Sequence, residues 1–535
     1  MRIAIAQINS TIGDFSGNKE KILDFTRRAK NEEADLILFP ELALCGSPLL
    51  DLFEYNEFIE SNIRTLEALK QELPEDLAVG LGYLNRDPSG KPLKAYGFIQ
   101  GRRLLLEIFN EAQFFEFKGQ RIAVAIGEEA FFGIDPTHEL LDHRISILCA
   151  PSASPFTLGG MKTFRERALE ISRQSDLPLV YVNAVGANDS VIYPGLSFIA
   201  NSDSILLEAK AFEEDLVLWD FPEKREKRKE KRQENSGFFT SHFSLLTSHY
   251  FDELEEALVL GIRDYMRKCG FRRVHLGLSG GLDSALVACL AVKAAGPENT
   301  FCINMPSRFS SQGSKDDSRE LAENLGCRYE VLPIEDIFIS SLSTLEGIFE
   351  NRPFDVAEEN LQSRIRGLLC MAYANKFNSM LLAGGNKSEF AMGYCTLYGD
   401  TNGALAPIGD VFKTEAFALC RRINERSLSV TGKALIPQAI IDKPPSAELR
   451  PDQTDQDSLP PYEELDQILR LLLCEKMALE SIVERGWDRE LVSRIIRTVA
   501  RSEWKRRQCP PVLIVSKYAF GLSRNMPLAR ELHEI

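Results

Sequence analysis

Val274-His275-Leu276-Gly277-Leu278-Ser279-Gly280-Gly281-Leu282-Asp283-Ser284 decides how the second half of this chain folds. Its first five residues are an apolar run that reads as a buried strand. Ala285-Leu286-Val287-Ala288-Cys289-Leu290-Ala291-Val292 behind it reads as an amphipathic helix. Two glycines between them let the backbone turn tightly, and the new helix points its free N–H groups into the turn. Such a corner binds a polyphosphate. It lacks Gly-Lys-Ser/Thr, so it is not the commoner nucleoside-triphosphatase loop.

Outward from this corner, a strand at 274–278, a helix at 284–294, a strand at 301–305, a helix at 315–325 and a strand at 328–332 make two successive βαβ units. They predict a doubly wound parallel sheet with its ligand at the carboxyl ends of the strands. The stretch 442–461, rich in Pro, Asp, Ser and Gln, is expected as a loop near that site or as a mobile segment.

Residues 1 to about 220 are different. Short apolar strands are expected at 2–8, 35–39, 77–84, 95–99, 121–126, 145–149, 179–183, 197–200 and 215–219, with helices at 18–30 and 162–175. Several strands are apolar throughout, which suits sheets covered on both faces. A layered α/β domain follows. The run from Pro222 to Glu234 alternates Lys, Arg and Glu without an apolar residue, as a solvated linker or exposed helix does. The expected organisation is therefore a domain at 1–220, a charged linker at 221–244 and a second domain at 245–535.

A chain of 535 residues is too long for one core. Its net charge of −15 argues against a nucleic-acid or membrane-surface binder. The eleven cysteines are scattered, with no Cys-x-x-Cys, as in a protein of the reducing cytoplasm rather than a disulfide framework or zinc site. The N-terminus reads as a strand, not a signal peptide, and no apolar run is long enough to span a membrane.

The Ser-Gly-Gly-x-Asp-Ser form resembles the loop of the ATP pyrophosphatases, which split ATP into AMP and pyrophosphate. The resemblance extends to NAD synthetases through Met305-Pro306-Ser307-Arg308-Phe309-Ser310-Ser311, Glu359-Asn360-Leu361-Gln362-Ser363-Arg364-Ile365-Arg366-Gly367, Gly385-Asn386-Lys387-Ser388-Glu389 and Gly393-Tyr394-Cys395-Thr396-Leu397-Tyr398-Gly399-Asp400. Asp410-Val411-Phe412-Lys413-Thr414 and Trp504-Lys505-Arg506-Arg507-Gln508 continue it, so it covers essentially all of 245–535.

The resemblance implies a two-step ligase. The nicotinate carboxylate of deamido-NAD attacks ATP to give an acyl-adenylate, and ammonia then displaces AMP to give NAD. It implies ATP contacts from Gly277, Leu278, Ser279, Gly280, Gly281, Leu282, Asp283, Ser284, Gly384 and Lys413. It implies Mg²⁺ on Asp283 and Glu389, and deamido-NAD on Asn360, Glu389, Asp400 and Lys505. Gly384 stands where the family usually has a threonine that contacts ATP. Two other readings stay open: a different ATP pyrophosphatase amidoligase, and a non-catalytic nucleotide-binding scaffold or sensor.

The N-terminal domain resembles the nitrilase-type glutaminase, an α-β-β-α sandwich that many NAD synthetases carry. Ala4-Ile5-Ala6-Gln7, Leu38-Phe39-Pro40-Glu41, Pro151-Ser152-Ala153-Ser154-Pro155-Phe156 and Tyr181-Val182-Asn183 carry the likeness. Such amidases use a cysteine nucleophile, a glutamate base and a lysine at the oxyanion. Glu41 matches the base. Gly127 stands at the nucleophile position, residues 105–114 hold no lysine, and Gly160 replaces a glutamine-binding lysine near Lys162. Cys45 and Cys149 are the nearest alternatives, and each is expected as a small buried apolar residue. The implied nitrogen donor is ammonia, free or supplied by a separate glutaminase, and the related enzymes are homo-oligomers.

Overall fold

The computed structural model describes residues 1–109, 113–135, 144–222, 243–521 and 523–529, with side chains at 243–249 excepted. The charged run from 223 to 234 lies outside the described residues. Two compact units emerge, Met1–His242 and Phe243–Ile535.

The first unit is built on two six-stranded sheets and a hairpin. One sheet runs Asp215–Asp220, Arg2–Gln7, Leu36–Leu38, Ala78–Arg86, Pro92–Gln100, Arg103–Ile108. The other runs Ser204–Glu208, Phe198–Asn201, Leu179–Asn183, Ile147–Ser152, Gln120–Val124, Gln113–Phe117. Alternation along each strand explains the layering. Ile3 and Ile5 join Leu36, Leu38, Ile122, Val124, Ile147, Val180 and Val182 in the core between the sheets. Ala4, Ala6, Ile37 and Phe39 face the other way, against helices Phe15–Asn31 and Asn56–Glu72. Helix Gly160–Ser175 covers the second sheet through Met161, Phe164, Ala168 and Ile171. The result is the α-β-β-α sandwich. Three described strands lie outside the expected set besides the hairpin pair: Arg103–Ile108 and Ser204–Glu208 are half-solvated edges, and Gln113–Phe117 pairs with Gln120–Val124 across a tight turn.

The second unit holds a four-stranded parallel sheet in the order Arg328–Val331, Thr300–Asn304, Val274–Gly277, Met380–Leu381. Chain order reverses between the last two strands, so a crevice opens at their carboxyl ends. Helix Leu282–Ala295 starts two residues before the expected position, because Gly281 supplies the cap and the turn needs nothing more. Helix Gln312–Leu325 also starts early, capped by Ser311, whose side chain accepts from the Ser314 N–H. No helix among the described residues is long and apolar enough to cross a membrane.

Candidate active site

The crevice of the second unit is a cavity of about 330 Å³. Its floor is the glycine turn. The Ser279 hydroxyl and N–H meet Ser284 Oγ at 3.0 and 3.2 Å, and the Gly281 N–H donates to Ser279 Oγ at 3.2 Å. Gly280 has φ +83°, and a Cβ there would lie 2.2 Å from the Ser314 carbonyl oxygen. Only glycine fits this approach of the turn to the start of helix Gln312–Leu325.

Opposite the turn stand Glu389 and Lys413, and a buried scaffold holds both. Lys387 and Asp410 form a fully buried ion pair at 2.7 Å, and Asp410 also accepts from the Val515 and Ser516 backbones at 2.9 and 2.7 Å. Ser388 bonds Asp466 at 2.5 Å and accepts the Lys413 N–H at 2.9 Å. Asn386 caps helix Lys387–Met392 and donates to Asp283 Oδ1 at 3.1 Å. The motif thus divides its labour. Lys387, Ser388 and Asp410 lock the backbone, and Glu389 and Lys413 are left facing the cavity.

Lys413 Nζ pairs with Asp283 and lies 3.3 Å from Glu389 Oε1. Burial opposes the charge on Lys413, but Asp283 and Glu389 outweigh it and hold the ammonium well above the usual lysine range. Burial, with Asp283 close by, pushes the Glu389 carboxyl up to about 8. Asp400 is accessible from the cavity, so the desolvation that raises its carboxyl is that of a cleft wall, not a sealed core. Two hard carboxylates already share one cation here. That donor set fits Mg²⁺, which takes one or two carboxylates and completes its shell with phosphate and water.

Gly277, Leu278, Ser279, Gly281, Leu282, Asp283, Ser284, Gly384, Glu389, Asp400 and Lys413 all line the cavity, with Gly280 between two of them. Gly384 has open space where a side chain would stand. Asn360 and Lys505 do not line it. Lys505 Nζ donates to the Gly393 and Cys395 carbonyls at 2.7 and 2.9 Å, and Asn360 accepts from Thr396 at 2.6 Å. Both brace the 393–400 loop. Arg366 lies within the 359–367 motif, and the resemblance assigns it no role. Its Nε donates to the Met305 carbonyl at 2.9 Å and its guanidinium lies on the cavity wall. Burial lowers it to about 10, so it stays charged. Its signal was the Arg-x-Arg-Gly spacing, which does not say which arginine turns inward.

In the first unit, Glu41 follows strand Leu36–Leu38 and is only 7% exposed. Lys94 Nζ lies 2.8 Å from Glu41 Oε1. Gly127 opens helix Gly127–Gly133 with φ +80°, and a Cβ there would stand 3.2 Å from Glu41 Oε2. A side chain at 127 would therefore meet the carboxylate, and glycine offers none. Cys45 and Cys149 are fully buried, and burial pushes each thiol up to about 12. Lys94 is the residue sequence reasoning missed. It sits on strand Pro92–Gln100, outside the segment where a lysine was sought.

The family profile described as NAD synthase matches residues 254–509, and that of carbon–nitrogen hydrolases matches residues 2–124. A glutamine-dependent NAD(+) synthetase of Synechocystis sp. is 40% identical over 99% of both chains. The chain belongs to the glutamine-dependent NAD(+) synthetase family. A relative of that name from Thermotoga maritima is 36% identical over 100% of this chain and 99% of its own. Among solved structures, the glutamine-dependent NAD+ synthetase of Acinetobacter baumannii in complex with ADP superposes with a TM-score of 0.75 at 31% identity, covering 98% of each chain. The hydrolase profile ends three residues before Gly127, whereas the NAD synthase profile spans every cavity residue named above.

Proposed function

We propose that this protein is an ATP-dependent carbon–nitrogen ligase that makes NAD from deamido-NAD, with ammonia rather than glutamine as its nitrogen donor. The observation that carries the ligase is the Asp283–Lys413–Glu389 group set opposite the glycine turn. The nicotinate carboxylate oxygen bonds to the α-phosphorus as the bond to the β-phosphate oxygen breaks. Ammonia nitrogen then bonds to the activated carbonyl carbon, AMP leaves with its oxygen, and a proton is released. Neither step needs a side-chain nucleophile. Both need alignment and neutralised charge. The turn amides and Ser279 and Ser284 hold phosphate oxygens, while Lys413 and Arg366 offset the charge on the leaving pyrophosphate. Bound on Asp283 and Glu389, Mg²⁺ would neutralise further phosphate charge. Asp400 and Glu389 face deamido-NAD, with Asn360 and Lys505 shaping the loop beneath it.

The observation that carries the loss of glutaminase is Gly127 against Glu41. A base without a nucleophile cannot form the acyl-enzyme that amide hydrolysis requires. Cys45 and Cys149 offer no substitute, because the thiolate is the reactive species and burial suppresses it. Eleven free cysteines suit a reducing cytoplasm. Homo-oligomer formation is supported by helix Glu335–Phe349, which buries only Phe338 and exposes Ile337, Ile339 and Ile348.

The test is NAD formation from deamido-NAD, ATP and Mg²⁺, with ammonium in one series and ammonia-free glutamine in the other. Turnover with ammonium alone is expected. Equal turnover with glutamine overturns the reading of the first unit, and no turnover in either series overturns that of the second.

A further inference from the structure

Of the eleven free thiols, six are buried. Cys395 and Cys509 are both half-buried, and they meet at the edge of the second unit's cavity. Cys395 lies in the 393–400 loop and lines that cavity. Cys509 follows helix Glu503–Arg506, just before Pro510-Pro511. The Cys509 thiol donates to the Lys505 carbonyl at 3.4 Å and accepts from the Cys395 thiol. Lys505 Nζ in turn donates to the Cys395 carbonyl at 2.9 Å. One lysine therefore holds both cysteines, one through its backbone and the other through its side chain. Neither cysteine sits inside a helix or strand, so the backbone at both can shift a little. The other close pair, Cys302 and Cys327 with sulfurs 3.7 Å apart, has one partner fully buried.

The two thiols are not equivalent. The hydrogen bond from Cys395 holds the Cys509 thiol below the usual cysteine range, with Arg506 and Lys505 helping and burial and Asp400 opposing. The same bond, with burial, pushes the Cys395 thiol well up. The thiolate is the reactive species, so Cys509 is the thiol that meets an oxidant and Cys395 the one placed to resolve it.

We infer that Cys395 and Cys509 form a modification site for a peroxide, and that the disulfide made there shuts down the cavity reversibly. The effect on activity rests on reading the cavity as the ligase site. The Cys509 sulfur bonds to one peroxide oxygen as the oxygen–oxygen bond breaks, and the other oxygen leaves as hydroxide, which takes up a proton to become water. The Cys395 sulfur then bonds to the Cys509 sulfur, the sulfur–oxygen bond breaks, and that oxygen leaves with the Cys395 proton as a second water. Two thiols lose two electrons, and the peroxide gains them. A sulfur–sulfur bond is about 2.05 Å long, closer than free thiols stand, so the loop is drawn toward the 503–509 segment. Thr396 follows Cys395, and its N–H donates to Asp400 Oδ1 at 2.7 Å. Asp400 is thereby pulled from its place on the cavity wall. A dithiol reductant restores both thiols by exchange.

The test uses the full-length protein treated with hydrogen peroxide, its remaining thiols blocked by alkylation and the chain digested. Mass spectrometry should find the Cys395 and Cys509 peptides joined. Ammonium-supported NAD formation should fall by about tenfold, as when reacting groups are misplaced, and should return with dithiothreitol. Cys509→Ala should keep turnover within about twofold of the parent before peroxide and lose most of the sensitivity to it. Cys327→Ala should stay as sensitive as the parent. No joined peptide in the oxidised parent, or full sensitivity in Cys509→Ala, overturns the site. Sensitivity lost in Cys327→Ala instead assigns it to the Cys302 pair and overturns it too. A joined peptide with undiminished NAD formation overturns the shut-down. If the untreated parent makes no NAD, the proposed reaction fails, and the joined peptide still decides whether the two cysteines are the site.

Discussion

Two lysines, Lys413 and Lys94, each face a carboxylate near the carboxyl end of a parallel strand, and they carry very different weight. Lys413 is 4% exposed at its side chain and shared by two acids. Its backbone is fixed by Ser388, and a fully buried Lys387–Asp410 pair stands behind that loop. Lys94 is 54% exposed at its side chain and pairs with Glu41. Beside Glu41 stands Gly127, which has no side chain to offer it. If the proposed loss of glutaminase holds, an ion pair next to a retained acid is no sign of a working site. What distinguishes the two is whether every role the chemistry requires has a group to fill it, and whether those groups are held from behind.

The largest effect should come from Lys413→Ala. The cation that offsets phosphate charge is lost, and Asp283 and Glu389 are left without their partner. NAD formation should fall by about a thousandfold, as when a single charge-stabilising donor is removed from a site. Stability should fall by roughly 3 kcal/mol, as when one member of a buried pair is deleted. Ammonium-supported turnover and a urea titration measure the two. Turnover within tenfold of the parent would mean that this cavity is no more a working site than the Glu41 pocket.

A second test addresses the sheet beneath the cavity of the second unit. His275, on strand Val274–Gly277, is fully buried between Ser379 Oγ at 2.9 Å and the Cys370 carbonyl at 3.0 Å. Burial pushes its imidazole down to about 4. The folded state therefore keeps it neutral, while the unfolded chain takes up a proton below about 6.5. The stabilisation is fully present above pH 6.5 and is lost as pH falls through the folded value. It amounts to roughly 3 kcal/mol between those limits. Urea midpoints at pH 7 and pH 4.5 should show this slope in the parent, and His275→Asn should flatten it. A slope unchanged in His275→Asn assigns the acid sensitivity elsewhere.

The same contrast shows what could be read from the sequence. The glycine turn and the parallel sheet were legible because each is a local pattern of apolar run, glycines and helix, whereas the acids Glu389 and Asp400 came only through the family resemblance. Strands apolar on both faces pointed to a layered α/β domain, and the sandwich itself came with the resemblance to nitrilase-type amidases. What escaped depends on three-dimensional reach. Lys94 meets Glu41 from another strand across the sheet, and no spacing announces it. Lys505 and Asn360 lie inside matching motifs yet turn to backbone and to Thr396. Arg366 faces the cavity because its Nε is captured by Met305. The edge strand at 103–108 carries Leu104-Leu105-Leu106 yet lies outside the expected set; Leu104 and Leu105 stand exposed at the sheet edge rather than in a core.

A smaller effect is expected at Gly384. It lines the cavity, and nothing lies within 4 Å of the Cβ position, so a threonine fits without displacing a neighbour. Its hydroxyl would add one hydrogen bond to ATP, worth about 1 kcal/mol. Gly384→Thr should lower the ATP KM by roughly fivefold with little change in kcat. A raised KM would mean that the open space is needed by the nucleotide itself.

The smallest effect sharpens the comparison most. Lys94→Ala removes an exposed ammonium from a pair whose coulombic gain is screened by water. Because the lost partner is an exposed ammonium, the stability loss should be about 1 kcal/mol. Ammonium-supported NAD formation should stay within about twofold of the parent, because no step of that reaction uses the Glu41 pocket. Glu41→Gln should behave in the same way. The decisive quantity is the ratio of the two lysine effects on turnover. If Lys94→Ala costs as much as Lys413→Ala, the Glu41 pocket takes part in the ammonium-driven reaction, and Gly127 cannot be read as the mark of a silent site.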